Sequence, residues 1–152
     1  MAEKFFVTID GIPGEVTRKG HEGKIAGLAY DYAVSNSGGS GGGGGGGAGR
    51  PVQTAFTFVK EVDKATPKLF EALVKGKHIK FVLFEFERTD AKGKRAIYYS
   101  LRLDDVLITS LHQSTDADEP GEFEEVGLDA AKIRLEHKPS GNVAEWDWKA
   151  MQ

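Results

Sequence analysis

Hydrophobic side chains recur along this chain mostly with a period of two, the mark of strands that bury one face and wet the other. Phe5, Val7 and Ile9 form a short opening example. Over residues 24–34 the even positions Lys24, Ala26, Leu28, Tyr30, Tyr32 and Val34 are largely apolar or aromatic. After Ile25 the odd positions Gly27, Ala29, Asp31 and Ala33 are small or polar. The alternation predicts one strand with its even face in the core and its odd face in water. Phe56 and Phe58 mark another strand, and residues 79–88, apolar on both faces, predict a central one. Ile97, Tyr99, Leu101 and Leu103 alternate with Ala96, Tyr98, Ser100 and Arg102, after which Asp104-Asp105 reads as a turn into a return strand over 106–113. Val126 and Leu128 share one parity and Ile133 and Leu135 the other, which predicts a bulge near Ala130-Ala131. A last strand over 143–150 aligns Ala144, Trp146, Trp148 and Ala150, a face expected to be core. About eight strands predict a mainly β fold, a two-sheet antiparallel barrel or sandwich.

One segment breaks this rhythm with helical spacing, residues 66–75. Thr66-Pro67 offers an N-cap followed by proline at the first helical position. Leu69 with Leu73 and Phe70 with Val74 form i,i+4 apolar pairs, and Gly76 supplies a left-handed stop. A single short helix predicts a plug over one end of a barrel. Residues 38–50 break all periodicity: Gly38, Gly39, Ser40, the unbroken run Gly41 to Gly47, then Ala48, Gly49 and Arg50. Such a tract loses much backbone entropy on ordering and buries nothing by itself, so it predicts a long hairpin loop, either solvated or ordered against a partner.

Composition narrows the class. The 152 residues suffice for one domain, read here as residues 1–152, with 39% hydrophobic and 28% charged residues. Ten of the 20 glycines lie between Gly38 and Gly49, so the remainder is an ordinary globular composition. A net charge of −3 gives no global attraction to nucleic acid or to an anionic membrane. No apolar run approaches the ~20 residues of a membrane helix, and the N-terminus does not read as a secretory signal. The absence of cysteine excludes disulfides, thiolate catalysis and cysteine zinc sites.

Chemistry-bearing patterns are few. The glycine tract matches phosphate-binding fingerprints trivially, but Arg50-Pro51 leads into a strand pattern where the mechanism requires a helix N-terminus. His21, His78, His112 and His137 show no metal-ligand spacing, although His21-Glu22 is a conceivable acid–base or metal pair. The acidic tract Asp116, Asp118, Glu119, Glu122, Glu124 and Glu125 lacks calcium-loop spacing and predicts a solvated loop. No nucleophile elbow is present. The expectation is no enzyme, no catalytic residue, no metal and no cofactor. Six lysines, Lys60, Lys64, Lys68, Lys75, Lys77 and Lys80, face three acids over residues 60–80. This basic stripe would suit an oligonucleotide-binding barrel, or head-to-tail self-association with the acidic tract. Trp146 and Trp148 would suit a carbohydrate-binding module.

Gly14-Glu15, His21-Glu22, Ile25 and the run from Leu28 through Ala29, Tyr30, Asp31, Tyr32, Ala33, Val34, Ser35, Asn36 and Ser37 to Gly38 resemble the N-terminal signature of the haemolysin-coregulated protein (Hcp) family, tube subunits of the bacterial type VI secretion system. The glycine tract closed by Ala48-Gly49-Arg50 sits where that family has an extended loop. The run from Asp63 through Thr66-Pro67 to Leu69 is similar to its helix entry, and Lys75-Gly76-Lys77-His78 to its helix exit. Tyr30 and Tyr32 stand where tryptophan-like aromatics are common. The resemblance implies a β-barrel flanked by a helix, six copies per ring, and rings stacked into a hollow tube inside a contractile sheath. Its implied partners are other copies of the chain, the spike, sheath and baseplate components, and small effectors carried in the lumen, with neither nucleic acid nor membrane insertion. Assembly in the cytoplasm and export without a signal peptide follow, and a chain ending at Gln152 implies a plain tube subunit. On this reading Gly27, Ala29, Asp31 and Ala33 face the lumen, and residues 38–50 reach an adjacent ring.

Overall fold

A computed structural model describes residues 4–36 and 50–151. Ten strands and one α-helix follow in chain order: β1 (Phe5–Ile9), β2 (Ile25–Gly27), β3 (Ala29–Asp31), β4 (Val34–Asn36), β5 (Pro51–Gln53), β6 (Phe56–Glu61), α1 (Thr66–Lys75), β7 (Ile79–Thr89), β8 (Arg95–Asp116), β9 (Glu119–His137) and β10 (Asn142–Asp147). A short 3-10 helix, Lys149–Met151, ends the described chain. The main sheet has eight strands, with the order β2-β1-β7-β8-β9-β6-β3 and β10 added to β9, while β4 and β5 form a separate ribbon. Every pairing is antiparallel.

The ends of the sheet order meet at one residue. β2 pairs with β1 and β3 pairs with β6, and between them Leu28 donates its N–H to Val59 O at 2.9 Å. One stretch of chain thus closes the sheet into a barrel by changing partners half-way. This corrects the expected single strand over 24–34. Ile25 and Gly27 point inward in β2, whereas beyond the switch Leu28 is buried and Tyr32 packs against the core, while Tyr30 is 44% and Val34 52% exposed. The expected buried even face is thus met only by Leu28 and Tyr32, and β3 and β4 are exposed on both faces.

Inside the barrel, Phe5, Val7, Ile25, Phe56, Phe58, Val82, Phe84, Leu101, Leu103, Val106, Val126 and Leu128 form one core, closed by Leu69 and Ala72 of α1. The helix is where its spacing predicts, ended by Gly76 at φ 63°. Its N-terminus differs from expectation. Ala65 occupies the cap position, and Thr66 is a buried first-turn residue whose hydroxyl is directed at the core pair described below. No side chain caps the helix, and Asp63 accepts from Ala65 N–H at 2.9 Å in the turn that precedes it.

Asp104-Asp105 is not a turn, because β8 runs unbroken for 22 residues. Asp105 instead has φ 53°, and neither of its neighbours in the ladders, Lys80 or Ala131, pairs with it. Buried positions change parity here on three adjacent strands: from Ile79 to Val82, from Leu103 to Val106, and from Ala130 to Ile133. Each strand carries one odd residue at the same level, so the register survives while the inward face is exchanged. The result is a crease across β7, β8 and β9. This corrects the bulge expected near Ala130-Ala131: the parity change there occurs without a register shift, and the shifts of the β8–β9 ladder lie between Ile108 and Ser110 and between Thr115 and Asp116. Trp146 corrects another expectation: it is 44% exposed on the outer strand β10 rather than core.

Candidate functional site

The face singled out by the sequence divides between interior and surface. Gly27 is buried, and a Cβ there would lie 2.1 Å from Cε2 of Phe5. The pocket that Phe5 fills leaves room for no side chain at residue 27, so Gly27 cannot line an exposed face; this corrects its grouping with the odd positions. Ala29, Asp31 and Ala33 are exposed.

Behind these small side chains stands an aromatic stack. Tyr30 meets Phe5 edge-on at 5.7 Å between ring centroids and lies parallel to Phe56 at 5.9 Å. Tyr32 contacts Phe56 at 5.1 Å, and Phe56 contacts Phe84 at 4.6 Å. Such pairs stabilise beyond their buried area and hold the strand stiffly. Burial raises the pKa of the Tyr32 phenol, which donates to Gln53 Oε1 at 2.8 Å. Ala33 N–H donates to Thr54 Oγ1 at 2.9 Å, and Thr54 N–H returns a bond to Ala33 O at 2.8 Å. These bonds fix the root of the β4–β5 ribbon, where Val34, Ser35 and Asn36 pair with Gln53, Val52 and Pro51. Residues 38–49 of the glycine tract, including Gly38, Gly39, Ser40, Gly41, Gly47, Ala48 and Gly49, lie outside the described residues. Arg50 is exposed at the end of the ribbon.

Two buried polar networks escaped the sequence reading. Lys60 is not part of a surface stripe, and Glu124 is not in a solvated loop. They face each other across β6 and β9 with no solvent exposure and form an ion pair. Lys60 Nζ also reaches Asp63 Oδ1 at 2.8 Å and donates to Glu61 O at 2.9 Å. Glu124 accepts from the Thr66 hydroxyl at 2.7 Å and from Gln113 Nε2 at 3.1 Å. Each charge is therefore met by several partners, the condition for tolerating burial. The signal was present in the parity: Lys60 follows Phe56 and Phe58, and Glu124 precedes Val126 and Leu128.

The second network is centred on His21, whose ring stacks on Phe6 at 3.8 Å. Lys24 Nζ lies 2.9 Å from Nδ1, and Glu87 Oε2 lies 2.9 Å from Nε2. An ammonium can only donate, so Nδ1 accepts and Nε2–H donates to Glu87. Lys24 also donates to Glu85 Oε1 at 2.7 Å, and Arg18 lies 2.8 Å from Glu87 Oε1. His21 is thus a structural tie between the 18–24 loop and β7, with both ring nitrogens committed.

One polar groove is likewise crossed by internal contacts. A groove of about 300 Å³ between the 15–18 segment and the end of β6 is lined by Glu15, Arg18, Glu61 and Asp63. There Glu15 accepts from Lys64 N–H at 2.5 Å and Asp63 contacts Lys60. Among the described residues no group of three or more His, Cys, Asp or Glu side chains is placed to hold a metal ion. The arrangement is that of a stiff barrel with outward surfaces, and comparison with known proteins specifies its kind.

The family model described as "Type VI secretion system effector, Hcp" matches residues 6–137. The chain belongs to the Hcp family. Among Hcp relatives, Protein hcp1 of Pseudomonas aeruginosa is 30% identical over an alignment spanning 100% of this chain and 98% of that protein. The Major exported protein of the same organism is 28% identical over 143 residues, 90% of this chain and 82% of that protein. In structure, Hcp1 of E. coli EAEC 042 superposes with a TM-score of 0.83 at 23% identity, covering 97% of this chain and 99% of that one. The Hcp fold is therefore shared over nearly the whole length, and the sequence resemblance is confirmed.

Proposed function

We propose that this chain is the inner-tube subunit of a type VI secretion system: six copies close into a ring, rings stack into a hollow tube, and sheath contraction propels that tube out of the cell. The family match over residues 6–137 carries this reading. Full-length similarity to Protein hcp1 and the export stated in the name of the second relative support it. Assembly takes place in the cytoplasm, with spike, sheath and baseplate components as partners, and delivery is extracellular or into a target cell.

In this reading the exposed residues Ala29, Asp31 and Ala33 line the lumen, where small effectors travel. Small side chains keep a bore wide, and one Asp31 per subunit gives six carboxylates at one level of a ring. The aromatic stack behind them, Phe5, Tyr30 and Phe56, gives the wall its stiffness. The glycine-rich segment 38–50, rooted in the β4–β5 ribbon, reaches the adjacent ring, where glycine permits close backbone approach.

Size-exclusion chromatography with light scattering and negative-stain microscopy test the assembly: six-fold rings are expected, and a monomer persisting at high concentration overturns the reading. Asp31→Lys tests the lumen, since rings should form while cargo retention changes. Unchanged retention across several effectors removes Asp31 from the bore. Deleting five of the glycines should leave rings but weaken stacking and secretion, whereas normal tubes would reduce the segment to a linker.

A further inference from the structure

The acidic hairpin and the exit of α1 lie toward opposite ends of the molecule, although Lys60 at the start of the basic tract pairs with Glu124 at the hairpin's base. The last pair in the β6–β9 ladder is Glu61 with Phe123, and Val62 N–H bonds to Glu122 O just beyond it. From there β8 and β9 continue as a two-stranded arm to the turn at Ala117-Asp118. Residues 113–125 contain no basic side chain, and Asp116, Asp118, Glu119, Glu122 and Glu125 are all exposed. At the same level Glu61 leaves the sheet, and α1 runs back along β8 to deliver the chain to Ile79, opposite Val106. Val106 and Asp116 are ten residues apart on one strand, about 33 Å at strand rise. The outer face and exit of α1 carry exposed Lys68, Lys75 and Lys77 around two unburied apolar side chains, Phe70 at 56% and Val74 at 62% exposure. Glu71 is the one acid of the helix, 3.6 Å from Lys75.

We propose that the acidic β8–β9 arm of one copy docks on the lysine-bearing outer face of α1 of the next copy. This rests on the self-assembly reading above and names the surfaces that carry it. The arm points away from the exit of its own helix, so the complementary partner is another copy. A contact between two different patches is head-to-tail, the kind that closes into a ring or extends as a stack. Opposite charge selects the pairing and its register, and Phe70 with Val74 supplies apolar area that a bare charge contact lacks.

Two double variants test it: Lys75→Glu with Lys77→Glu, and Asp118→Lys with Glu119→Lys. All four side chains are exposed, and thermal melts followed by circular dichroism check the fold, with Asp118→Asn and Glu119→Gln as milder substitutes. By sedimentation velocity each double variant should need at least a tenfold higher concentration to assemble, and wild-type assembly should weaken as salt screens the charges. An equimolar mixture of the two variants should recover assembly, because each then offers the charge that the other lacks. Loss without recovery in the mixture, or wild-type assembly by both variants, overturns this contact and leaves the tube reading standing. A wild-type chain that stays monomeric overturns both.

Discussion

Lys60 and Glu124 are partners in the β6–β9 ladder, and their side chains meet in the barrel core with neither exposed to solvent. Removing one member of such a pair strands a charge in low dielectric, at a cost of about 3–5 kcal/mol. Lys60→Met and Glu124→Gln should each lose about that much by urea denaturation. The double variant Lys60→Met with Glu124→Gln should lose clearly less than the sum, since both charges are gone together. Additive losses would mean that the two side chains are not coupled.

Gly27 is held by the ring of Phe5, which also contacts Tyr30, Phe84 and Phe86. Gly27→Ala forces this cluster apart and should cost about 1–3 kcal/mol, in the range of overpacked cores. Ala29→Ser, two residues away on the exposed face, should stay within about 0.5 kcal/mol of the parent. Chemical denaturation of both variants measures the contrast. Equal effects would contradict the change of face at Leu28.

Asp105 occupies the crease with φ 53°, and its carboxylate receives His78 at 2.8 Å and Lys149 at 2.9 Å. Hydrogen bonds from Lys149 and then His78 hold its pKa below the usual range. Nearby, Trp148 N–H donates to Ala131 O at 2.8 Å, so the C-terminal segment is tied down at the level where β9 skips a pairing. A β-branched residue is strained at this backbone geometry, whereas glycine adopts it freely. Asp105→Val should lower the thermal midpoint markedly. Asp105→Gly should lower it much less and should speed amide exchange at Trp148. If valine is tolerated as well as glycine, the left-handed geometry is not required there.

Much of the fold was legible because its strands bury one face. Phe5, Val7 and Ile9, the Phe56–Phe58 pair, and the helix closed by Gly76 all stand where spacing places them. The failures share one cause: a period of two identifies a face but not which partner that face meets. Residues 24–34 alternate cleanly, yet Leu28 changes partners and inverts the pattern in β2. Asp104-Asp105 looks like a turn because a left-handed aspartate in mid-strand and a hairpin aspartate share local chemistry. Only the ladders on both sides distinguish them. Lys60 and Glu124 were assigned to surface tracts by composition, while their parity with Phe58 and Val126 pointed inward. Of the candidate face, Ala29, Asp31 and Ala33 were legible as exposed from parity, whereas Gly27 required the position of Phe5, a contact distant in sequence.

Glu87 gives the protein a predictable acid limit. Burial pushes its pKa up, but the hydrogen bond from His21 and the charges of Arg18 and Arg95 outweigh this and hold the carboxyl below its ordinary range. Arg18 lies 2.8 Å and Arg95 3.5 Å from Oε1, and His21 lies 2.9 Å from Oε2. In the unfolded chain the group titrates at about 4.3 and takes up a proton sooner than in the folded chain. Acid therefore favours unfolding: the stabilisation from Glu87 is complete above the ordinary glutamate range and disappears as pH falls through the lowered folded value. Glu87→Gln should be less stable than the parent at pH 7, and its stability should fall less steeply between about pH 5 and pH 3. Urea midpoints of both proteins across that range measure the difference. Parallel curves would mean that the Arg18–His21–Arg95 cluster does not bias the proton affinity of Glu87, and that acid unfolding starts elsewhere.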